Sequence, residues 1–439
     1  MSLAATAGAD VRRKAWFGWC MYDWANSAFA TVILAAVLPV YFAFLVPAGG
    51  ARWVIFGREI VLPATSLWGY AVAVSMLAVA VSAPYLGALA DRRGLRRRLL
   101  IVFALTGATA TSLLVLAGPG RYLFAAGLFI IANVGFAGGN VFYNAFLPGL
   151  ARGAEMDRLS AWAFALGYIG GGLMLLIAFV LIQWHGAFGL ADPGAGSRVA
   201  FLLTGLWWGI FAIPTFRHLR EEALQRTAEP PVRGLRGYLG IFAQIRRHPD
   251  LLRFLIAFLF YNDGIQTIIV VSAIFAREEL GLSAGTILGA FLMIQFVAMP
   301  GSLLFGRLAQ RWSAKGSVMI CLALFTAVTV YAYLLQHAWQ FWLLAAVIAL
   351  ILGGSQAISR SLYASLLPPA KSAEFFSFYA ISAKFASIFG PLVFALIAHL
   401  TGSARLSILA LTAFFLLGMA LLATVDVRRG RAAALREGA

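Results

Sequence analysis

Long stretches without a charged side chain govern what this chain can become. No Asp, Glu, Lys or Arg occurs within residues 122–151, and none within 316–359. A helix of ~20 apolar residues crosses the ~30 Å hydrocarbon core of a bilayer and satisfies its own backbone hydrogen bonds there. A soluble helical protein would show polar faces at a 3.6-residue period, and these blocks do not. Composition agrees, with 62% hydrophobic and 12% charged residues, about half the charged share of a soluble domain. The expected helices lie at 15–46, 67–90, 99–118, 121–147, 159–184 and 199–216. A second set is expected at 251–276, 284–309, 316–335, 339–364, 375–400 and 404–425. The fold class is therefore an all-α membrane protein with twelve transmembrane helices.

The net charge of +17 would suggest nucleic acid in a soluble protein. Here the basic residues fall in short loops between apolar blocks, so they report topology and no nucleic-acid partner is expected. With the N-terminus inside, 27 Lys and Arg residues lie in inside segments and 6 in outside segments, with Lys384 left within a helix. That asymmetry predicts both termini in the cytoplasm. Arg12, Arg13 and Lys14 precede the first block as in a secretion signal. The block runs to Val46, longer than a signal core, and is read as a retained first helix.

Three landmarks recur in one order. Gly87-Ala-Leu-Ala-Asp91-Arg92 follows the second block, and Gly306-Arg-Leu-Ala-Gln310-Arg311 follows the eighth. Phe142-Tyr-Asn-Ala-Phe-Leu-Pro148 closes the fourth block, and Leu362-Tyr-Ala-Ser-Leu-Leu-Pro368 closes the tenth. Tyr22-Asp23 and Tyr261-Asn262-Asp263 occupy the first and seventh. Two six-helix halves in parallel follow: an N-terminal half over 1–216 and a C-terminal half over 251–425. A cytoplasmic linker at 217–250 joins them, and a cytoplasmic tail at 426–439 follows.

The loop Gly87-Ala-Leu-Ala-Asp91-Arg92-Arg-Gly94 resembles the signature loop of the major facilitator superfamily. Gly87 would permit close helix approach, Gly94 a tight turn, and Asp91 either a cap on a neighbouring helix N-terminus or a pair with a nearby arginine. The resemblance implies a major facilitator fold in which Gly87, Asp91, Arg92, Gly94 and Arg311 belong to a cytoplasmic latch between the halves.

A narrower likeness lies in Tyr22-Asp23-Trp24-Ala25-Asn26-Ser27-Ala28-Phe29. Gly353-Gly354-Ser355-Gln356-Ala357-Ile358-Ser359-Arg360-Ser361 carries it too, as does Glu374-Phe375-Phe376-Ser377-Phe378-Tyr379, running on to Pro391. These stretches resemble the autophagy-related vacuolar amino-acid effluxers and their bacterial relatives. The resemblance implies alternating access and export of small solutes, with amino acids one candidate class. Proton-coupled drug exporters of the superfamily usually carry an arginine within the fourth helix. Asn133, Asn140 and Asn144 stand there instead, which argues against drug–proton exchange.

Asp23, Asp263, Arg360 and Lys384 lie within apolar blocks. Each costs on the order of 2.5–3.5 kcal/mol at a helix centre, so such residues face water, each other or a ligand. In the superfamily the first, fourth, seventh and tenth helices line the central cavity. Asp23, Asn26, Asn140, Asn144, Asp263, Gln266, Gln356 and Arg360 fall on those helices, and Lys384 falls on the eleventh. The spacings Asp263–Gln266 and Gln356–Arg360 put each pair on one helix face. Two carboxylates and a guanidinium suit a small zwitterion, and either aspartate could carry a proton. Asp263 and Arg360 are expected to come within reach of one another in at least one state. The alternative for all these charges is an ion pair that only joins helices.

Five scattered histidines, with no Gly-x-Ser-x-Gly elbow and no phosphate-binding loop, point away from an enzyme and from direct ATP drive. Cys20 and Cys321 are the only cysteines and suggest neither a disulfide framework nor a metal site. No cofactor is expected. The expected partners are a small-molecule substrate, the lipid bilayer and protons, with the chain acting as a monomer in a bacterial inner membrane. A non-transporting receptor or lipid-handling protein on the same scaffold is the competing reading.

The charge asymmetry sets a topology test. Cysteine placed in the 185–198 loop should react with an impermeant maleimide from outside intact cells. Cysteine in the 217–250 linker should react only after permeabilisation. Outside labelling of the linker would contradict the two-half arrangement.

Overall fold

The computed structural model describes residues 3–47, 49–55, 58–221, 243–282, 284–401 and 403–437. Most of the expected linker, 222–242, lies outside them. Among the described residues, ten helices are long and apolar enough to cross a membrane, and a bent pair at the N-terminus makes an eleventh. The eleventh expected block is a continuous helix, Ser372–Thr401, of 30 residues.

The first block is not one straight helix. It comprises α1 (Leu3–Ala28), a π-helical stretch (Phe29–Ala36) and α2 (Leu38–Leu45). The two arms are bent by 44°. Pro39 in the first turn of α2 has no N–H to extend the ladder, so the break falls just ahead of it. The loop that follows holds an antiparallel hairpin, β1 (Ala51–Ile55) with β2 (Arg58–Leu62), in the register Ala51↔Leu62 and Trp53↔Ile60. Its β-branched runs were visible in the sequence, but the block pattern assigned the segment to a loop.

The next helices are α3 (Ala64–Arg93), α4 (Arg96–Leu113), α5 (Tyr122–Ala145), the short α6 (Leu147–Leu150), α7 (Ala154–Gln183), α8 (Pro193–Phe211) and α9 (Ile213–His218). Then come α10 (Pro249–Leu280), α11 (Ala284–Arg311), α12 (Ala314–Tyr333), α13 (Ala338–Ser365) and α14 (Ser372–Thr401). α15 (Ala404–Ala410), α16 (Thr412–Ala423) and α17 (Val427–Glu437) close the chain. Pro84, Pro300 and Pro391 lie inside α3, α11 and α14.

The chain divides into two compact units. The first holds Met1–Ala83, Leu95–Tyr143 and Leu166–Glu221. The second holds Pro84–Gly94, Asn144–Ala165 and Glu222–Ala439. The second unit therefore takes in one end of α3, with the loop after α5 and the first turns of α7.

The first unit is built on aromatic packing. Trp19 stacks on Tyr143 with ring centroids 4.7 Å apart and donates its indole N–H to the Tyr143 carbonyl. Phe29 packs on Phe136 and Trp208. In the second unit, glycines decide how closely α11 and α13 approach. A Cβ on Gly301 would sit 2.6 Å from the Leu350 Cα, and one on Gly353 would sit 2.5 Å from the Ser302 hydroxyl. Gly354 faces the Phe305 ring in the same way. The Gly353-Gly354 pair thus acts as the close-packing surface of α13. The C-terminal segment, expected as a tail, is the helix α17. Its Arg429 makes a two-pronged pair with Asp250 at 2.6 and 2.7 Å, and Gly430 seats against Leu366.

Substitution Gly353→Val forces two backbones apart. Overpacking of this kind costs about 1–3 kcal/mol, so a detergent-solubilised variant should melt at a lower temperature than wild type. An unchanged melting temperature would contradict the close approach of α11 and α13.

Candidate functional site

In the first unit the site residues gather where α1, α5 and α7 meet. Asp23 and Asn26 are buried, at 8% and 3% exposure. The Asn26 amide donates to the Asn140 side-chain oxygen at 2.8 Å, which joins α1 to α5. α7 reaches this part of α1 through glycines: a Cβ on Gly167 would lie 2.7 Å from the Ser27 hydroxyl and 3.2 Å from the Asp23 carbonyl. Gly170 and Gly171 seat against the Trp24 and Ser27 carbonyls. The Asp23 charge acts on Tyr22 and on Tyr168 of α7. Trp24 stacks on Trp207 at 5.5 Å and receives its indole N–H at the backbone carbonyl. Tyr22 is fully buried and packs against Tyr143.

In the second unit Asp263 lies on α10 at 2% exposure. Its Oδ1 accepts the Gly390 N–H of α14 at 2.9 Å, one residue before Pro391. Gln266, one turn on, is half-buried, as are Asn144 and Gln356. Tyr261 shares a 2.7 Å hydrogen bond with Ser359. The Lys384 side chain lies outside the described residues.

Arg360 is nearer the end of α13 than its middle. Ser365, where α13 stops, is five positions further on, a rise of about 7.5 Å. Its Nε donates to the Ser160 hydroxyl at 2.9 Å, and an Nη donates to the Ser160 carbonyl at 3.1 Å. The guanidinium carbon lies 4.1 Å from the centre of the Phe164 ring. Ser361 donates to the Asp157 carboxylate at 2.6 Å. α13 is therefore fastened to the first turns of α7 by two consecutive side chains. Asp263 and Arg360 do not meet in this structure: among the described residues Asp263 binds the Gly390 amide.

The latch residues fall together in the second unit. A Cβ on Gly87 would lie 2.6 Å from the Ala373 carbonyl and 3.0 Å from the Glu374 Cα, so α3 can touch the start of α14 only because glycine stands there. One turn on, Asp91 places its two carboxylate oxygens on the N–H groups of Ala373 and Glu374, at 3.1 and 2.9 Å. A carboxylate on the free N–H groups of a helix start satisfies donors and meets the positive end of the helix dipole. Gly94 ends α3 with a left-handed φ of 64°, which glycine adopts without strain. Ser372 donates to the Ala145 carbonyl. Arg92 acts electrostatically on Glu374, while Arg311 is exposed.

The repeat is visible in this packing. Gly306 stands 219 residues after Gly87 and abuts Ala161 of α7, as Gly87 abuts the start of α14. The second copy carries Gln310 where the first carries Asp91, and Gln310 bonds back to the Gly306 carbonyl. Sequence reading missed the α7 side of these contacts: Asp157, Ser160, Phe164 and the glycines 167, 170 and 171. The glycine spacing was the available signal.

The family described as "Vacuole effluxer Atg22 like" matches residues 11–435. The chain belongs to this family. A Bacillus subtilis protein named as the uncharacterized MFS-type transporter YxiO is 33% identical over 93% of this chain and 94% of its own length. Autophagy-related protein 22-1 of Aspergillus fumigatus is 24% identical over 98% of this chain and 92% of that protein. Among solved structures, the human organic anion transporter MFSD10 superposes with a TM-score of 0.70 at 16% identity, covering 94% of this chain and 98% of that one. The chain is thus a multi-pass membrane protein with the major facilitator fold and a transporter of the Atg22-like family.

Asp91→Asn keeps the side-chain size and removes the charge facing the helix dipole, an interaction of about 0.3–2 kcal/mol. The variant should fold with unchanged secondary structure and show a turnover lower by about 2- to 20-fold. Wild-type transport at both limiting and saturating substrate would remove the latch from the transport cycle.

Proposed function

We propose that this transporter exports a small polar or zwitterionic solute by alternating access, coupled to protons, with amino acids the first class to examine. The reading places the chain in a bacterial cell membrane with both termini in the cytoplasm. The observation that carries it is Asp263, a carboxyl group buried within an apolar helix whose hydrogen-bond partner among the described residues is the Gly390 N–H of α14. A group fixed only as glue would be matched by a cation in a stable pair. Among the described residues Asp263 instead keeps a neutral partner, an arrangement that tolerates both the carboxylate and the carboxylic acid. Asp23, with the Asn26–Asn140 pair nearby, supplies a second carboxylate and neutral hydrogen-bonding groups that suit an ammonium or hydroxyl.

Arg360 is the candidate for the solute's carboxylate. It would have to exchange the Ser160 contacts for that ligand during the cycle. Its planar fork makes both Ser160 bonds at once, which a lysine ammonium on a flexible stem cannot copy.

The test is uptake of labelled amino acids into vesicles, with and without a pH gradient. Wild type should accumulate solute only with the gradient. Asp263→Asn should lose that accumulation and keep downhill exchange. Arg360→Lys should raise the KM for a carboxylate-bearing solute about tenfold. Accumulation by Asp263→Asn at the wild-type level would contradict proton carriage by Asp263, and normal transport by Arg360→Lys would reduce Arg360 to a helix fastener.

A further inference from the structure

The latch contains a second carboxyl group that its capping role does not use. Glu374 is in the first turn of α14, ahead of that helix's apolar stretch. It is 4% exposed, and its Oε1 has no hydrogen-bond partner among the described residues. Both oxygens of the neighbouring Asp91 are taken by the Ala373 and Glu374 N–H groups. Asp91 is held by the helix start, and its negative charge acts on Glu374.

The repeat shows that this burial is particular to one copy. Glu155 stands 219 residues earlier, in the first turn of α7, and is exposed. The position that matches Asp91 in that copy is Gln310, which bonds to the Gly306 carbonyl. Only where the acid has been kept in the loop is the glutamate shut in beside it. Two carboxyl groups at this depth cannot both be charged at low cost, and one oxygen of Glu374 has no hydrogen-bond partner among the described residues.

We infer that Glu374, set against Asp91, is a proton-binding site of the latch: one proton is held while the latch is closed and released to the adjoining water when it opens. The other charged groups acting on Glu374 are Arg92 at the end of α3 and Lys371 in the preceding turn. The buried His248 ring at the start of α10 packs on Phe375, the next residue.

Burial, then the Asp91 charge, push the Glu374 carboxyl from its ordinary value of 4.5 up to about 7, against the opposing pull of Lys371 and Arg92. The sign follows from that direction. The closed latch binds the proton more tightly than the open one, so proton-linked closure is complete below the ordinary value and fades as pH rises through about 7. Between those limits the closed-to-open ratio falls by up to about tenfold per pH unit. The site needs no particular solute, so its fate is separate from that of the substrate assignment.

The test places spin labels at Arg93→Cys and Ala370→Cys, both exposed positions, in a Cys20→Ala, Cys321→Ala background in nanodiscs. Pulsed electron–electron distances are then followed from pH 5 to pH 8. The short-distance population should dominate at pH 5 and fall at least threefold by pH 8. In Glu374→Gln, which mimics the protonated form, it should persist at pH 8. Asp91→Asn, which removes the neighbouring charge, should move any remaining transition to lower pH. A pH-independent distance in the parent, or the parent's pH response retained in Glu374→Gln, would overturn the proposal. An unmoved midpoint in Asp91→Asn would do the same.

Discussion

A bilayer has no water at its centre to satisfy a polar group, and that absence organises the whole molecule. Each backbone amide must find its partner within its own helix, which fixes the long helices. Each polar side chain kept at depth must find a partner on a neighbour, which fixes where the helices meet. The Asn26–Asn140 bond, the Arg360–Ser160 fork and the Asp263–Gly390 contact are local solutions of this kind. Between them the helices approach through glycine, because lipid tails give no net hydrophobic drive to bring two apolar helices together.

The same constraint gives the latch its form. A helix start carries unsatisfied N–H groups, and the start of α14 is buried. Asp91 supplies the missing acceptors from another helix, and Gly87 allows the approach. The repeat copy at Gly306 keeps the glycine and loses the acid. There α7 carries its own Asp157, which binds Ser361 instead. The two copies thus make different fastenings in the second unit: a charged cap on the start of α14, and a side-chain clasp that holds α13 to α7.

Helix positions were legible in the sequence because uncharged blocks of this length admit almost no other reading. The breaks were harder. Pro39 was visible, yet the apolar pattern continues smoothly past it, so the bend between α1 and α2 does not register in hydropathy. The hairpin at 51–62 and the helix over Val427–Glu437 were hidden for a related reason: both are short and polar enough to pass for loop or tail. For the site, chemistry was legible and geometry was not. Asp91 could be read as a helix cap from its surroundings in sequence, but the helix it caps lies over 280 residues away. In the sequence Arg360 is a cation in an apolar block, expected to meet Asp263 or a ligand. The groups that hold it, Ser160 and Phe164, are ordinary residues that become informative only once α7 lies beside α13.

The central claim is that costly polar groups are kept in this chain to move a solute, rather than to hold helices together or to handle lipid. Solute counterflow tests it most directly, in liposomes carrying the purified protein and preloaded with unlabelled amino acids. The account predicts transient accumulation of labelled amino acid from outside above its equilibrium level, absent from protein-free liposomes. Transfer of labelled lipid between leaflets, with no counterflow of any solute in the series, would contradict it.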